Sequence, residues 1–213
     1  MRTDDLINVI VADNATVTRP IRQMIFAAFG IGCLLAVIAF TLLLGIRPDF
    51  AHAITHDPRF MFKFVFAIGL AIPAATLVNR LSRPDGAGGI ALTMVAIPLL
   101  LLGAAVLLEM FLVPPERWSA AALGTMPGTC LTYIPLLSIA PFIATLAALR
   151  YGAPARPAVA GAAAGLASAS IAAALYAAFC VDDSPMFVAI WYVAGIAAVT
   201  LLGSLIGGRL LRW

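Results

Sequence analysis

Long apolar stretches broken by short polar punctuation dominate the chain. Six of them are long enough to cross a bilayer as helices, at roughly Met24–Ile46, Arg59–Asn79, Gly88–Val113, Pro127–Leu149, Pro157–Phe179 and Pro185–Gly208. A spanning helix needs about 20 predominantly apolar residues, and no run here alternates with the period of a half-buried strand. The breaks carry turn chemistry: "RPDGAGG" (83–89), "VPPERW" (113–118) and "RYGAPARP" (150–157). Pro58, Pro157 and Pro185 stand where a first helical residue lacks little by having no N–H. The pattern predicts an all-α polytopic membrane protein. Residues 24–213 form a six-transmembrane-helix bundle with short loops, and residues 1–23 form a short N-terminal tail. No internal duplication is visible, so an inverted-repeat transporter has no support.

Composition makes the membrane reading firm. The 213 residues are 63% hydrophobic and 11% charged, against about 45–50% and about 25% in soluble domains. The six crossings leave no room for a separate globular domain. No cleavable signal peptide is expected, because the first apolar run starts near Met24 and is too long for one. The formal charge of +3 does not indicate direct nucleic-acid binding, since the basic residues flank the apolar runs. Nine Lys/Arg fall in the tail, the second and fourth loops and the C-terminal end; four fall on the other side (Arg47, Arg59, Lys63 and Arg117). The positive-inside rule then places both termini in the cytoplasm.

This orientation puts two thiols at the outer surface. Cys130 opens crossing four and Cys180 closes crossing five. They lie 23 and 27 residues from Ala153 in the inner loop, about 35–40 Å at about 1.5 Å per residue. Helices of such a hairpin approach closely enough for a disulfide if both side chains face the seam. Gly161 and Gly165, four apart on crossing five, supply a small-residue seam for close approach. The pair could form a disulfide, act as a redox couple or hold a soft metal. Cys33 lies mid-crossing and reads as a small hydrophobe.

Asp182 and Asp183 follow Cys180. With Ser184 as N-cap and Pro185 at N1, the carboxylates are expected to cap crossing six and complement its dipole. His52 and His56, spaced i,i+4 in the first outer loop, could add imidazoles to a metal site, although surface solvation explains them as well. Glu109 is the carboxylate inside an apolar run, a functional candidate or a group reaching the interface. Trp118, Trp191 and Tyr192 fit an aromatic belt. No P-loop, zincin helix, G-x-S-x-G or C-x-x-C is present, so no enzyme and no resident cofactor is expected.

In the tail, Asp4 and Asp5 precede Leu6, Ile7, Val9 and Ile10. Leu6, Val9, Ile10 and Asp13 share one face if the segment is helical. A helix this short gains stability from a partner groove. Its acidity suits a basic protein better than an anionic lipid surface.

These residues carry a resemblance. The tail "DDLI", six short-looped crossings, an outer Cys opening crossing four and the run Cys180–Tyr192 ("CVDDSPMFVAIWY") look like the NrsF-type bacterial membrane anti-sigma factors. The resemblance spans essentially the whole chain. It implies sequestration of an extracytoplasmic-function sigma factor at the inner membrane, with the tail as the binding element. It also implies that Cys130 and Cys180 take part in sensing heavy-metal or oxidative stress, with Asp182, Asp183, Pro185, Trp191 and Tyr192 as the supporting outer segment. A small transporter or metal exporter, and a membrane thiol oxidoreductase, are the other classes considered. The first would need polar residues along a midplane path, and the second would need a cofactor motif.

Overall fold

The computed structural model describes residues 20–84, 86 and 89–212. The tail residues Asp4, Asp5, Leu6, Ile7, Val9, Ile10 and Asp13 lie outside the described residues. The described chain forms helices α1 (Ile21–Leu43), α2 (Phe50–His56), α3 (Pro58–Leu81), α4 (Gly89–Leu112), α5 (Trp118–Leu123), α6 (Pro127–Leu149), α7 (Pro157–Ala177) and α8 (Pro185–Leu210). No strand occurs among the described residues. Six helices are long and apolar enough to cross a membrane: α1, α3, α4, α6 with the short turns that precede it, α7 and α8.

Local chemistry sets the helix starts. The Asp57 carboxylate accepts from the backbone N–H of Arg59 at 2.8 Å and opens α3, with Pro58 as first residue. Ser184 does the same for α8 through Met186 N–H, with Pro185 following. Thr76, Ser138 and Thr145 donate their hydroxyls to carbonyls of their own helices. No free hydroxyl therefore faces the apolar surroundings at those positions.

Helix α7 is the most buried of the six and packs on α8, α3 and α6, while α1 lies against α6 and α4 against α3. Its Ala, Gly and Ser side chains make this central position possible, because small residues let backbones approach and van der Waals packing holds helices together in lipid. Leu34, Leu100, Phe111 and Leu112 stand exposed on the peripheral helices α1 and α4, as lipid-facing residues do.

The glycine seam serves a different partner from the one the sequence suggested. A Cβ on Gly161 would strike the backbone of Gly203 and Gly207, and one on Gly165 would lie 2.6 Å from the Val199 carbonyl oxygen. The seam therefore joins α7 to α8, not to α6. Its cause is reciprocal: Gly203 and Gly207 on α8 face Gly161 in turn, and two glycine faces pack closer than one glycine face against the larger residues of α6.

Gly161→Leu or Gly203→Leu should force α7 and α8 apart and cost about 1–3 kcal/mol, the usual range for overpacking. Gly103→Leu, on α4 with nothing within 4 Å of an added Cβ, is the control. Thermal unfolding in detergent should show a lowered midpoint for the first two and none for the third.

Candidate functional site: a thiol pair bound into a charged clamp

Helix α7 ends in tightening turns, with Phe179 and Cys180 N–H both donating to the Tyr176 carbonyl. The chain then runs irregularly to Pro185. Such a segment leaves carbonyls without helical partners, and they are met by cations from two other elements. Lys63, one turn and a half into α3, is completely buried. Its ammonium donates to the Cys180 carbonyl at 2.8 Å and the Asp182 carbonyl at 3.4 Å, and pairs with Asp183 Oδ1 at 2.5 Å. Arg47, in the connection after α1, donates to Asp183 Oδ2 at 3.0 Å and to the Cys180 carbonyl at 3.3 Å. Its other nitrogens form a two-point pair with Asp49, both at 2.6 Å. Both cations also lie over the Phe60 ring, at 4.9 and 5.2 Å from its centroid.

A buried charge is tolerated only when paired and hydrogen-bonded. The Asp183 carboxylate between two cations, with the Cys180 carbonyl shared by both, meets that condition. The bond to Asp49 raises the Arg47 guanidinium above its ordinary value against the cost of burial, and Arg47 in turn holds Asp49 down to about 2.

Asp182 and Asp183 therefore do not cap the last helix. Asp183 belongs to the Lys63–Arg47 clamp. Asp182 accepts from the Thr125 N–H at 3.0 Å and the Thr125 hydroxyl at 2.9 Å. Gly124 makes that docking possible: its φ of +63° turns the chain, and a Cβ there would strike Phe187 and Asp182. Helix α8 is capped instead by Ser184 and by Glu109 of α4, whose Oε2 accepts from Met186 N–H at 3.0 Å and from the Ser184 hydroxyl at 2.8 Å. A carboxylate at the positive end of a helix is favourable, and Arg59 adds a partner at 3.5 Å from Oε1. Carboxylates two residues from a helix start suggest capping, but here distant cations and N–H groups outcompete it.

The thiols meet inside this frame. Cys130, in the first turn of α6, is fully enclosed and Cys180 nearly so; both are free, and they share one core cluster. The two side chains share that cluster with Tyr176 and Tyr192. The Thr129 hydroxyl bonds the Tyr176 hydroxyl at 2.5 Å. The Cys180 thiol also points to the Asp182 carbonyl at 3.8 Å. The neighbouring Cys130 thiol and then the Lys63 ammonium, opposed by burial, bring the Cys180 thiol below the ordinary thiol range. A cavity of about 350 Å³ adjoins this end, lined by Cys180 together with Arg47, Met126, Tyr176, Phe179 and Asp182 among others.

Tyr192 is not a belt residue. It is fully buried and packs against Tyr176 and Phe187. Its neighbour Trp191 donates to the Ala122 carbonyl at 2.9 Å, and Trp118 to the Val113 carbonyl at 2.9 Å. The wider π-helical turn Val188–Tyr192 accompanies this division of labour, and such turns gather at functional sites. His52 and His56 stack on one another at 4.5 Å on the exposed face of α2. Among the described residues no group of three or more His, Cys, Asp or Glu is placed to hold a metal ion. Cys33 lies mid-α1 outside this cluster.

The sequence reading missed the clamp. Lys63 counted only as a basic flank, although "FMFKFVF" sets a lone cation inside apolar text. An ionisable residue within a spanning run is a site candidate with a partner to be named, and that signal was present.

A family model described as "Negative regulator of sigma F" (NrsF) matches residues 10–213. The "Anti-sigma-F factor NrsF" of Caulobacter vibrioides is 34% identical over 219 residues, with both chains covered completely. The "Probable anti-sigma-F factor NrsF" of Azospira oryzae is 31% identical over 214 residues, again with complete coverage. No solved structure matches.

Alkylation of Cys180 by iodoacetamide should reach half its maximal rate below the ordinary thiol range, because only the thiolate reacts. Lys63→Met removes a charge that favours the thiolate, so the midpoint should move up toward the ordinary thiol range. An unchanged midpoint would separate Lys63 from the thiol's ionisation.

Proposed function

The chain belongs to the NrsF family, the negative regulators of sigma F, and is an anti-sigma factor and not an enzyme; from that premise we propose that it holds an extracytoplasmic-function sigma factor at the bacterial inner membrane and releases it when heavy-metal or oxidative stress alters the pair Cys130–Cys180. Residues 1–23, with the acidic amphipathic stretch from Asp4 to Asp13, are the sigma-binding element. Both termini are cytoplasmic.

Charge supports the orientation. At the thiol end Arg47, Arg59 and Lys63 are paired with Asp49, Asp183 and Glu109. At the opposite end Arg80, Arg83, Arg150, Arg156, Arg209 and Arg212 form no ion pair among the described residues. Uncompensated positive charge belongs on the cytoplasmic side.

The observation that carries the sensing reading is the grip of Lys63 on the Cys180 carbonyl and Asp183. Any bond that draws Cys180 toward Cys130 moves the carbonyl that Lys63 holds. Lys63 sits near one end of α3, and Ser82, at the other end, accepts from Ala153 N–H at 3.2 Å in the α6–α7 connection. Nineteen residues of helix separate Lys63 from Ser82, about 28 Å at about 1.5 Å per residue. The helix links the thiol end to the end of the bundle where α1 begins. A signal must favour one of two arrangements by a differential free energy. Inverting a 99:1 population takes about 5.5 kcal/mol, which a covalent or metal bond between the thiols supplies.

Two outcomes follow for the intact regulator in cells. Deleting residues 1–14, or combining Leu6→Asp with Ile10→Asp, should leave the sigma regulon constitutively on while the protein stays in the membrane with a cytoplasmic C-terminus, read by reporter fusion. A regulon still repressed in that strain rules out the tail. Separately, Cys130→Ser and Cys180→Ser should each lose induction as completely as the double variant, and Cys33→Ser should respond normally. Additive partial effects would show that the two outer thiols do not work as a unit.

A further inference from the structure

The two thiols are chemically unequal, and their surroundings give each a separate task. Cys180 lines the cavity of about 350 Å³ at the end of the bundle. Cys130 does not line it and has no exposed surface, lying behind Cys180 in the first turn of α6. A reagent entering this cavity meets Cys180 first. Lys63 and Arg47 both hold the Cys180 carbonyl, at 2.8 and 3.3 Å. The rest of the cavity wall is mostly apolar, with Arg47 and Asp182 as its charged members. Arg47 is already paired with Asp49 and Asp183, and Asp182 is bonded to Thr125, so the cavity suits a small uncharged molecule.

We propose, resting on the reading of the pair as the sensor, that the dithiol is an ordered oxidation relay for hydrogen peroxide, with Cys180 the attacking thiolate and Cys130 the resolving thiol. In the first step Cys180 sulfur attacks the peroxide oxygen. An S–O bond forms, the O–O bond breaks, and the departing hydroxide takes a proton and leaves as water, so that Cys180 becomes a sulfenic acid. In the second step Cys130 sulfur attacks Cys180 sulfur. The S–S bond forms, the S–O bond breaks, and the Cys130 proton leaves with the hydroxide as a second water. Two thiols and one peroxide give one disulfide and two waters, the two electrons having passed from sulfur to oxygen. The attacking sulfur needs thiolate character and access, and the resolving sulfur needs proximity alone. The structure distributes these requirements between the two residues.

Metal capture asks for something different. It would require both sulfurs as thiolates at once, side by side, with the single buried ammonium of Lys63 near them. No third His, Cys, Asp or Glu is placed to complete a site among the described residues. The relay carries negative charge on one sulfur at a time.

The test uses the purified full-length protein in lipid nanodiscs, with hydrogen peroxide as oxidant, dimedone as the sulfenic-acid trap and peptide mass spectrometry as readout. In Cys130→Ser, peroxide should leave a dimedone adduct on Cys180; in Cys180→Ser, residue 130 should take none. An adduct on Cys130, or none in either variant, overturns the relay. The unmutated protein supplies a check that no folding defect can confuse: brief treatment with N-ethylmaleimide should modify Cys180 at least about tenfold faster than Cys130, and equal rates overturn the order of attack. Met126→Trp, which enlarges a side chain lining the cavity, should slow Cys180 oxidation severalfold, and an unchanged rate overturns the cavity as the route. Because each readout is a chemical adduct, failure here leaves regulon control by the pair standing, and failure of regulon control leaves these adducts interpretable.

Discussion

A buried ammonium has to find anions, and the thiol end of this bundle is arranged around that requirement. Lys63 cannot reach water from the inner face of α3. Its partners come from one irregular stretch of chain, the carbonyls of Cys180 and Asp182 and the carboxylate of Asp183. Once that stretch is fixed, the rest is drawn in. Arg47 shares Asp183 and so ties down the end of α1. Asp182 holds Thr125 and so the approach to α6. Glu109 of α4 caps the helix that follows. Four of the six long helices are thereby fastened to the short segment that joins the other two.

The two ends of the molecule are held by different physics. At the thiol end the contacts are ionic and charge-assisted hydrogen bonds in partly dry surroundings, each with a definite geometry. In the middle and toward the other end, α7 and α8 touch through glycine backbones, where van der Waals contact acts only at close range. A change at the clamp is local and polar, whereas its passage along α3 and the α7–α8 pair depends on rigid packing. Interiors packed in this way switch between discrete arrangements and do not deform continuously.

The thiols themselves are tuned by the same clamp. Lys63 serves Cys180 twice, once by fixing its carbonyl and once by its charge. The buried aromatic residues Tyr176 and Tyr192 share the core cluster with the pair. With one sulfur lining a cavity and the other sealed behind it, a pair that looks symmetric in sequence becomes directional.

Much was legible in the residues alone. Six apolar runs fixed six helices, because a chain in lipid must satisfy its backbone within each segment and composition cannot hide that. The boundaries were marked by Pro58, Pro127, Pro157 and Pro185, and depth along the hairpin brought Cys130 and Cys180 to one level. Periodicity and length are local properties, and local properties survive reading in one dimension. Which helix face meets which is not local. The glycines of α7 could have served α6 as well as α8, and only the matching Gly203 and Gly207 decided it. Asp182 and Asp183 could have capped a helix two residues away, but Lys63, 120 positions earlier in the chain, offered Asp183 a full charge. Tyr192 and Trp191 were one aromatic pair in sequence, and the helix winding sent one into the core cluster of the thiols and the other to a carbonyl of the short helix α5. Partners far apart in sequence compete for each polar group, and only the folded chain shows which of them wins.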